Sequence, residues 1–445
     1  MSYVANTAEQ RAAMLDACRA KSVADFFSVI PESARPRSFA LPPPKSEMET
    51  LERFRQLATR NYSHLTCFLG GGIYDHYIPA AVDALASRSE FYTAYTPYQP
   101  ELSQGTLQAI YEYQTDICRL TGMDVANASL YDGGTALCEA CQMALHATGR
   151  SRVVLDGGIS PVYRTMLDSY TANLSIEFFQ TEIAPGPTNR AALYEALDDR
   201  TAAVILQNPN FFGVADDFSD IVRHCRERGI RTIVSVYPTA LALLKTPGEM
   251  GVDIAVGEGQ PLGIPLAFGG PYLGFLATTD KLVRRMPGRL VGRTVDRQGR
   301  EAFVLTLQAR EQHIRREKST SNICTNEGLC ALRAHIYLSL LGKKGFKDLA
   351  ALCHAKARYA RDRLRAIPGV EILDGHPFFN EFIARLPMDA SEAAGQLVEQ
   401  GLAPGLPLGR FYPNMARLLL VAVTEKRTKR DIGMLAESLD AILNQ

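Results

Sequence analysis

Between residues 150 and 280 the chain alternates short apolar runs with amphipathic stretches. The apolar runs predict strands over 152–155, 176–179, 202–206, 231–236, 252–256 and 274–277. The amphipathic stretches predict helices over 161–170, 189–198, 220–228 and 238–244. Strands separated by helices imply right-handed crossovers and a mostly parallel sheet, with ligands at its carboxyl edge. Upstream, Leu107, Ile110, Tyr111, Ile117 and Cys118 fall at helical spacing, and Gly122 stops that helix. A second stripe, Ala136, Leu137, Ala140, Cys141, Ala144 and Leu145, follows the turn Asp132-Gly133-Gly134-Thr135. Downstream, helices are expected over 328–341, 346–367, 390–400 and 428–443, with strands over 370–373, 381–385 and 417–423. The expected organisation is a helical arm over 1–60, a large α/β domain over 61–326 and a smaller C-terminal α/β domain over 327–445. Five prolines between residues 30 and 44 keep helix and central strand out of the arm's linker.

Composition narrows the class. Apolar and charged fractions of 46% and 22% are those of a soluble globular chain. Basic and acidic residues balance at 48 each, so no global field favours nucleic acid or an anionic membrane. No window is long and apolar enough for a membrane span, and the N-terminus does not read as a signal peptide. Nine scattered cysteines then indicate a reducing, cytoplasmic setting. Cys138 and Cys141 form a CxxC without a second pair, which reads as core packing; no metal site is expected.

Four stretches carry candidate chemistry. Residues 252–274 read as a strand delivering a Gly- and Pro-rich loop, yet that loop holds no nucleophile and no base better than Glu258. The Asp132-Gly133-Gly134 turn at a helix start suits an anion, or merely caps the helix. Residues 91–104 set Tyr92, Tyr95 and Tyr98 beside Pro97 and Pro100, an extended loop presenting phenols either to a ligand or to a packed corner. Residues 308–326 are locally basic, and a solvated helix face is the default reading.

Six segments in order make the reading specific: FLGGGIYDHYIP, YTAYTPYQPELSQGTLQAIYEYQ, SLYDGGTALCEA, ILQNPNFFG, GEGQPLGIPLAFGGPYLGF and REQHIRREKSTSNICTNE. They span roughly residues 65–330 and resemble the P-protein of the glycine cleavage system, in the N-terminal (alpha) chain of its two-chain form. The resemblance implies a fold-type I, aspartate-aminotransferase-like α/β architecture. It implies decarboxylation of glycine with transfer of the aminomethyl group to the lipoyl arm of the H-protein, by an α2β2 assembly. Pyridoxal phosphate would be held by the partner beta subunit. A chain of this fold that bound it would need a lysine after the strand over 252–256 and an acid at the end of the preceding one. Here those places hold Gly259 or Gln260, and Ser235, Val236 and Tyr237; Lys245 and Lys281 do not fit. On this resemblance Tyr95 and Tyr98 support catalysis across the subunit interface, and Asp132, Gly133 and Gly134 are the relic of a phosphate cup. His313, Arg315, Ser319, Ser321 and Asn322 line an entrance or an H-protein dock. The alternatives are a scaffold for the beta subunit and a self-sufficient transferase with an unrecognised lysine.

Overall fold

The computed structural model describes residues 5–36, 38, 40–62 and 64–444; positions 37 and 39 of the expected linker lie outside the described residues. The chain forms two compact units, 1–63 and 64–445. In the first, helices Ala8–Ala17 and Glu47–Ala58 begin at capping boxes, Thr7 with Gln10 and Ser46 with Glu49. Neither helix contains a buried residue, so end-capping rather than burial fixes where they start.

The second unit begins with β1 (Thr66–Cys67) and β2 (Val125–Ala126). Then follow β3 (Arg152–Leu155), β4 (Glu177–Gln180), β5 (Thr201–Asn208), β6 (Arg231–Val236), β7 (Ile254–Glu258) and β8 (Gly274–Thr278). Seven of these form one sheet in the order β2-β8-β7-β6-β5-β3-β4. Strands β3 to β7 pair in parallel, and β8 runs antiparallel to β7 and β2. Alternate residues enter opposite cores. Ala203, Ile205, Ile233 and Val256 pack with Leu137, Ala140 and Cys141 of the helix Gly133–Thr148. Val204, Leu206, Val234 and Ala255 pack on the other face with Tyr113, Ile117, Ile221 and Cys225. Burial on both faces is why these strands read as continuous apolar runs.

The strand expected over 252–256 runs Ile254–Glu258 instead. Asp253 is spent on side-chain bonds, accepting from the Thr232 N–H at 3.0 Å and pairing with Arg231 at 3.0 Å. At the other end the ladder to β8 continues until Glu258 opposes Gly274. The strand therefore carries Gly257 and Glu258 to the carboxyl edge, where the sequence suggested a loop. The helix expected over 238–244 is a 3-10 segment, Pro238–Ala242. The basic stretch is three short segments, Gln308–Arg310, Gln312–Arg315 and Arg316–Lys318, because Arg316 breaks the helix at φ 54°. An antiparallel hairpin, β9 (Leu290–Val295) with β10 (Glu301–Thr306), had no strong sequence alternation to announce it.

A helix spanning Gly328–Arg365 is interrupted at Gly342, whose φ of 59° and ψ of 179° divide it much as the sequence predicted. Beyond it lie β11 (Glu371–Leu373), β12 (Glu381–Arg385), β13 (Leu402–Ala403), β14 (Leu406–Pro407) and β15 (Leu418–Ala422). Four of them form the antiparallel sheet β11-β12-β15-β14, and β13 pairs with β1. Phe382, Ala384, Leu419 and Val421 pack there with Leu397, Leu435 and Leu439 of the helices Ala390–Glu399 and Lys429–Leu443. Among the described residues no helix is long and apolar enough to cross a membrane.

Candidate functional site

A cleft of about 420 Å³ opens at the carboxyl edge of the large sheet, lined by Gly71, Asp132, Gly134, Tyr163, Glu258 and Glu327 among others. The helix Gly133–Thr148 points its N-terminus here. Asp132 caps it, accepting from the Thr135 N–H at 2.8 Å and the Thr135 hydroxyl at 3.0 Å. The free N–H of Gly133 donates to Glu258 Oε2 at 2.9 Å. Glu258 Oε1 accepts from the N–H groups of Gln260 at 2.8 Å and Leu273 at 3.1 Å. A helix start with the shape and dipole for an anion thus holds the chain's own carboxylate. The glycines admit that packing: a Cβ on Gly133 would lie 2.5 Å from the Tyr163 hydroxyl, and one on Gly134 would lie 2.2 Å from Met166 Sδ.

Gln260 is buried and spends its amide on neighbouring backbone. Its Oε1 accepts from the Tyr74 N–H at 2.9 Å, and its Nε2 donates to Tyr74 O at 3.0 Å and Ile264 O at 2.8 Å. This clasp holds the segment that carries the three glycines 70–72. Tyr74 stacks on Tyr237 with ring centroids 4.1 Å apart and donates its hydroxyl to Glu381 Oε2 at 2.7 Å. Glu381 Oε1 accepts from the Gly71 N–H at 2.7 Å. A second chain of bonds links Tyr237 through His76 to Glu425, with His76 Nδ1 and Glu425 Oε2 2.7 Å apart. Glu381 was not singled out in the sequence, although an acid heading the apolar strand EFIAR was the available signal.

Pyridoxal phosphate does not fit these residues. Neither Gly259 nor Gln260, between which the lysine place falls, can form an imine, and Gln260 is a saturated clamp. The helix-start slot for its phosphate is filled by Glu258. Strand β6 ends in Ser235 and Val236, is followed by Tyr237, and offers no carboxylate to a pyridine nitrogen. Lys245 is engaged elsewhere, with Asp217 at 3.1 Å and Ser219 at 2.7 Å.

The remaining candidate residues are dispersed. Tyr95 is 90% exposed and lines a separate cavity with Thr96, Pro97 and Asn326. Tyr98 is half-exposed, and its ring meets His313 edge-on at 5.8 Å. Both border a cavity with Gln312 and Arg316. Arg315 is exposed in the helix Gln312–Arg315. Ser319, Ser321 and Asn322 line a third cavity with His146 and Arg150. The structure therefore joins Tyr98 to His313, leaves Ser319, Ser321 and Asn322 as a group of their own, and places Asp132 and Gly134 at the sheet-edge cleft, with the Gly133 N–H held by Glu258.

Burial shapes the electrostatics. It pushes Glu258, Glu381 and Glu139 each up to about 7, against the N–H donors on Glu258, the Gly71 N–H and Tyr74 hydroxyl on Glu381, and Ser321 on Glu139. Burial also acts on Glu425, but there the hydrogen bond and charge of His76 prevail and hold it at about 2. For the three raised groups the sign is fixed. Below about 4.5 both folded and unfolded chains keep the proton; between about 4.5 and about 7 only the folded chain does, so stability falls as pH rises. Each shift corresponds to roughly 3 kcal/mol. Urea midpoints are accordingly expected to drop from pH 5 to pH 7.5 and then level. A midpoint that is flat or rises across that window would contradict the assignment.

Known proteins place this architecture. The description "Glycine cleavage system P-protein" matches residues 1–439. A chain from Geotalea uraniireducens, described as probable glycine dehydrogenase (decarboxylating) subunit 1, is 56% identical over 443 residues, covering 100% of both chains. A crystal structure of glycine decarboxylase (P-protein) of the glycine cleavage system, in inhibitor-bound form, is 42% identical with a TM-score of 0.94, covering 100% of both chains. A C-DES mutant with glycine covalently linked to its PLP cofactor is 15% identical with a TM-score of 0.63, covering 89% of this chain and 99% of that one. This last likeness speaks for the fold alone, which is that of the fold-type I PLP-dependent enzymes. With the family match spanning nearly its whole length, the chain belongs to the glycine cleavage system P-protein family.

Proposed function

We propose that this chain is the alpha subunit of a two-chain glycine dehydrogenase (decarboxylating) that works in the cytoplasm as an α2β2 assembly. With a beta subunit carrying pyridoxal phosphate, it decarboxylates glycine and passes the aminomethyl group to the lipoyl arm of the H-protein. The observation that carries this reading is the pair of filled places: Glu258 in the anion slot and Gln260 as a clamp where a lysine would stand. A chain built this way depends on a partner for the cofactor. Its own part is to complete the site across the interface. The exposed Tyr95 and the Tyr98–His313 pair face the beta subunit. Arg315, Ser319, Ser321 and Asn322 form the approach used by the H-protein arm.

Borohydride reduction with added pyridoxal phosphate tests the division of labour. In this chain alone no lysine is expected to be trapped. With the beta subunit added, glycine decarboxylation appears and the trapped lysine maps to the partner. A reduced imine on a lysine of this chain would make it a self-sufficient transferase. In the same reconstituted pair, Tyr95→Phe is expected to lower turnover about 100-fold, the lower end for loss of one positioned proton-transfer group, with assembly unchanged. Altered assembly at unchanged turnover would instead favour the scaffold.

A further inference from the structure

Among the described residues Arg289 is a buried cation without a counter-charge. It is 4% exposed, and every acceptor it reaches is neutral. Its Nη1 donates to Asn326 Oδ1 at 2.9 Å and to the Thr325 hydroxyl at 3.4 Å. Its Nη2 donates to Cys324 O at 2.6 Å and, at a long 3.3 Å, to the Tyr98 hydroxyl. Its Nε is buried and has no acceptor among the described residues. Arg427, buried to a similar degree, is offset by Asp75 at 3.2 Å. An uncompensated guanidinium is costly to bury, and a carboxylate exchanged for its two long contacts, those to Thr325 at 3.4 Å and Tyr98 at 3.3 Å, would meet one hydrogen on each Nη and supply the missing charge.

The backbone around Arg289 is fixed. Its carbonyl accepts from the Ala128 N–H at 2.9 Å. The preceding Gly288 turns through φ 75°, and its carbonyl accepts from Arg310 Nη2 at 3.0 Å. The guanidinium lies 5.5 Å from the centroid of the Tyr98 ring. It forms one wall of the cavity of about 190 Å³ that Tyr92, Tyr95, Thr96, Thr325 and Asn326 also line. That volume admits a molecule of a few heavy atoms. Polar groups therefore converge, with one unmatched positive charge, on a small space beside the two tyrosines already placed at the interface.

We infer that Arg289 receives the carboxylate of the small amino-acid substrate, with the Tyr95 and Tyr98 loop closing over it in the assembled enzyme. This rests on the reading that the chain completes a glycine-decarboxylating site. A carboxylate could also arrive on an acidic side chain of the beta subunit, and the test separates the two sources. No bond is made or broken at Arg289, so it is a positioning residue.

The experiment compares glycine with glycinamide, which has the same shape but no carboxylate, as ligands of the reconstituted pair. Equilibrium binding is measured by calorimetry for the wild type, Arg289→Gln and Arg289→Lys. Arg289→Gln is expected to weaken glycine roughly 100-fold, in line with loss of a charge-assisted pair. Glycinamide should change less than threefold, and Arg289→Lys should recover part of the discrimination. Equal weakening of both ligands, or of neither, overturns the inference. So does loss of subunit assembly with discrimination intact, which would identify the partner's acidic side chain as the counter-charge. If the glutamine variant does not fold, the wild type decides: acetate must compete with glycine and acetamide must not, and acetate failing to compete overturns the inference. A wild-type pair that does not decarboxylate glycine would instead remove the proposed function itself.

Discussion

Glu258→Ala is expected to lower the unfolding free energy of the chain by about 3–4 kcal/mol at pH 7, measured by urea denaturation. Three N–H groups, those of Gly133, Gln260 and Leu273, now end on this one side chain. Each buried donor left without an acceptor costs roughly 1–3 kcal/mol. Removing a carboxyl that burial has pushed up to about 7 returns part of that, which sets the net figure. Glu258→Gln should cost less, about 1–2 kcal/mol. Its carbonyl can still serve Gln260 and Leu273, and only the Gly133 N–H then faces an amide donor. The glutamine variant should also flatten the fall in stability between pH 5 and pH 7. The alanine variant reopens the helix start as an anion site, so inorganic phosphate should stabilise it and not the wild type. An alanine variant as stable as the glutamine variant would show that the three donors do not depend on Glu258.

Periodicity was sufficient for the central sheet because its strands are buried on both faces. Arg152–Leu155 and Arg231–Val236 lie within the bounds their apolar runs suggest. It failed where side chains rather than burial set the boundary. Asp253 delays β7, and the pairing of Glu258 with Gly274 prolongs it into what reads as loop. The candidate site was legible as an absence: the glycine loop carried no lysine and no nucleophile. What fills that absence could not be read. The contacts from Glu258 to Gly133 and from Gln260 to Tyr74 join positions 125 and 186 residues apart. Arg289 left no mark at all, since an arginine after Pro-Gly reads as an exposed turn until its burial is known. Tyr95 and Tyr98, three residues apart on one loop, part company in the fold. One stands 90% exposed, and the other bonds Arg289 and meets His313.

Gln260→Lys, which puts a lysine at one of the two positions where this fold would need one, is expected to destabilise the chain by about 3 kcal/mol and to confer no imine chemistry. The glutamine uses both ends of its amide: an acceptor for the Tyr74 N–H, and donors for Tyr74 O and Ile264 O. A lysine has three donors and no acceptor, so the Tyr74 N–H loses its partner. Its ammonium would also enter a position that is 2% exposed. An unpaired buried donor costs on the order of 1–3 kcal/mol and a desolvated charge several kcal/mol even after relaxation, and the two surviving carbonyl contacts return part of that. The release should be felt along 70–77, because Tyr74 ties that segment to both Tyr237 and Glu381. Cofactor binding should not follow, since Glu258 still fills the helix start and β6 still lacks an acid. The check is urea denaturation together with borohydride trapping of the variant in the presence of pyridoxal phosphate. A stable variant that traps an imine at position 260 would mean that one substitution separates this chain from a cofactor-binding one. Marked destabilisation without trapping would mean that the whole cradle has been rebuilt as a structural joint.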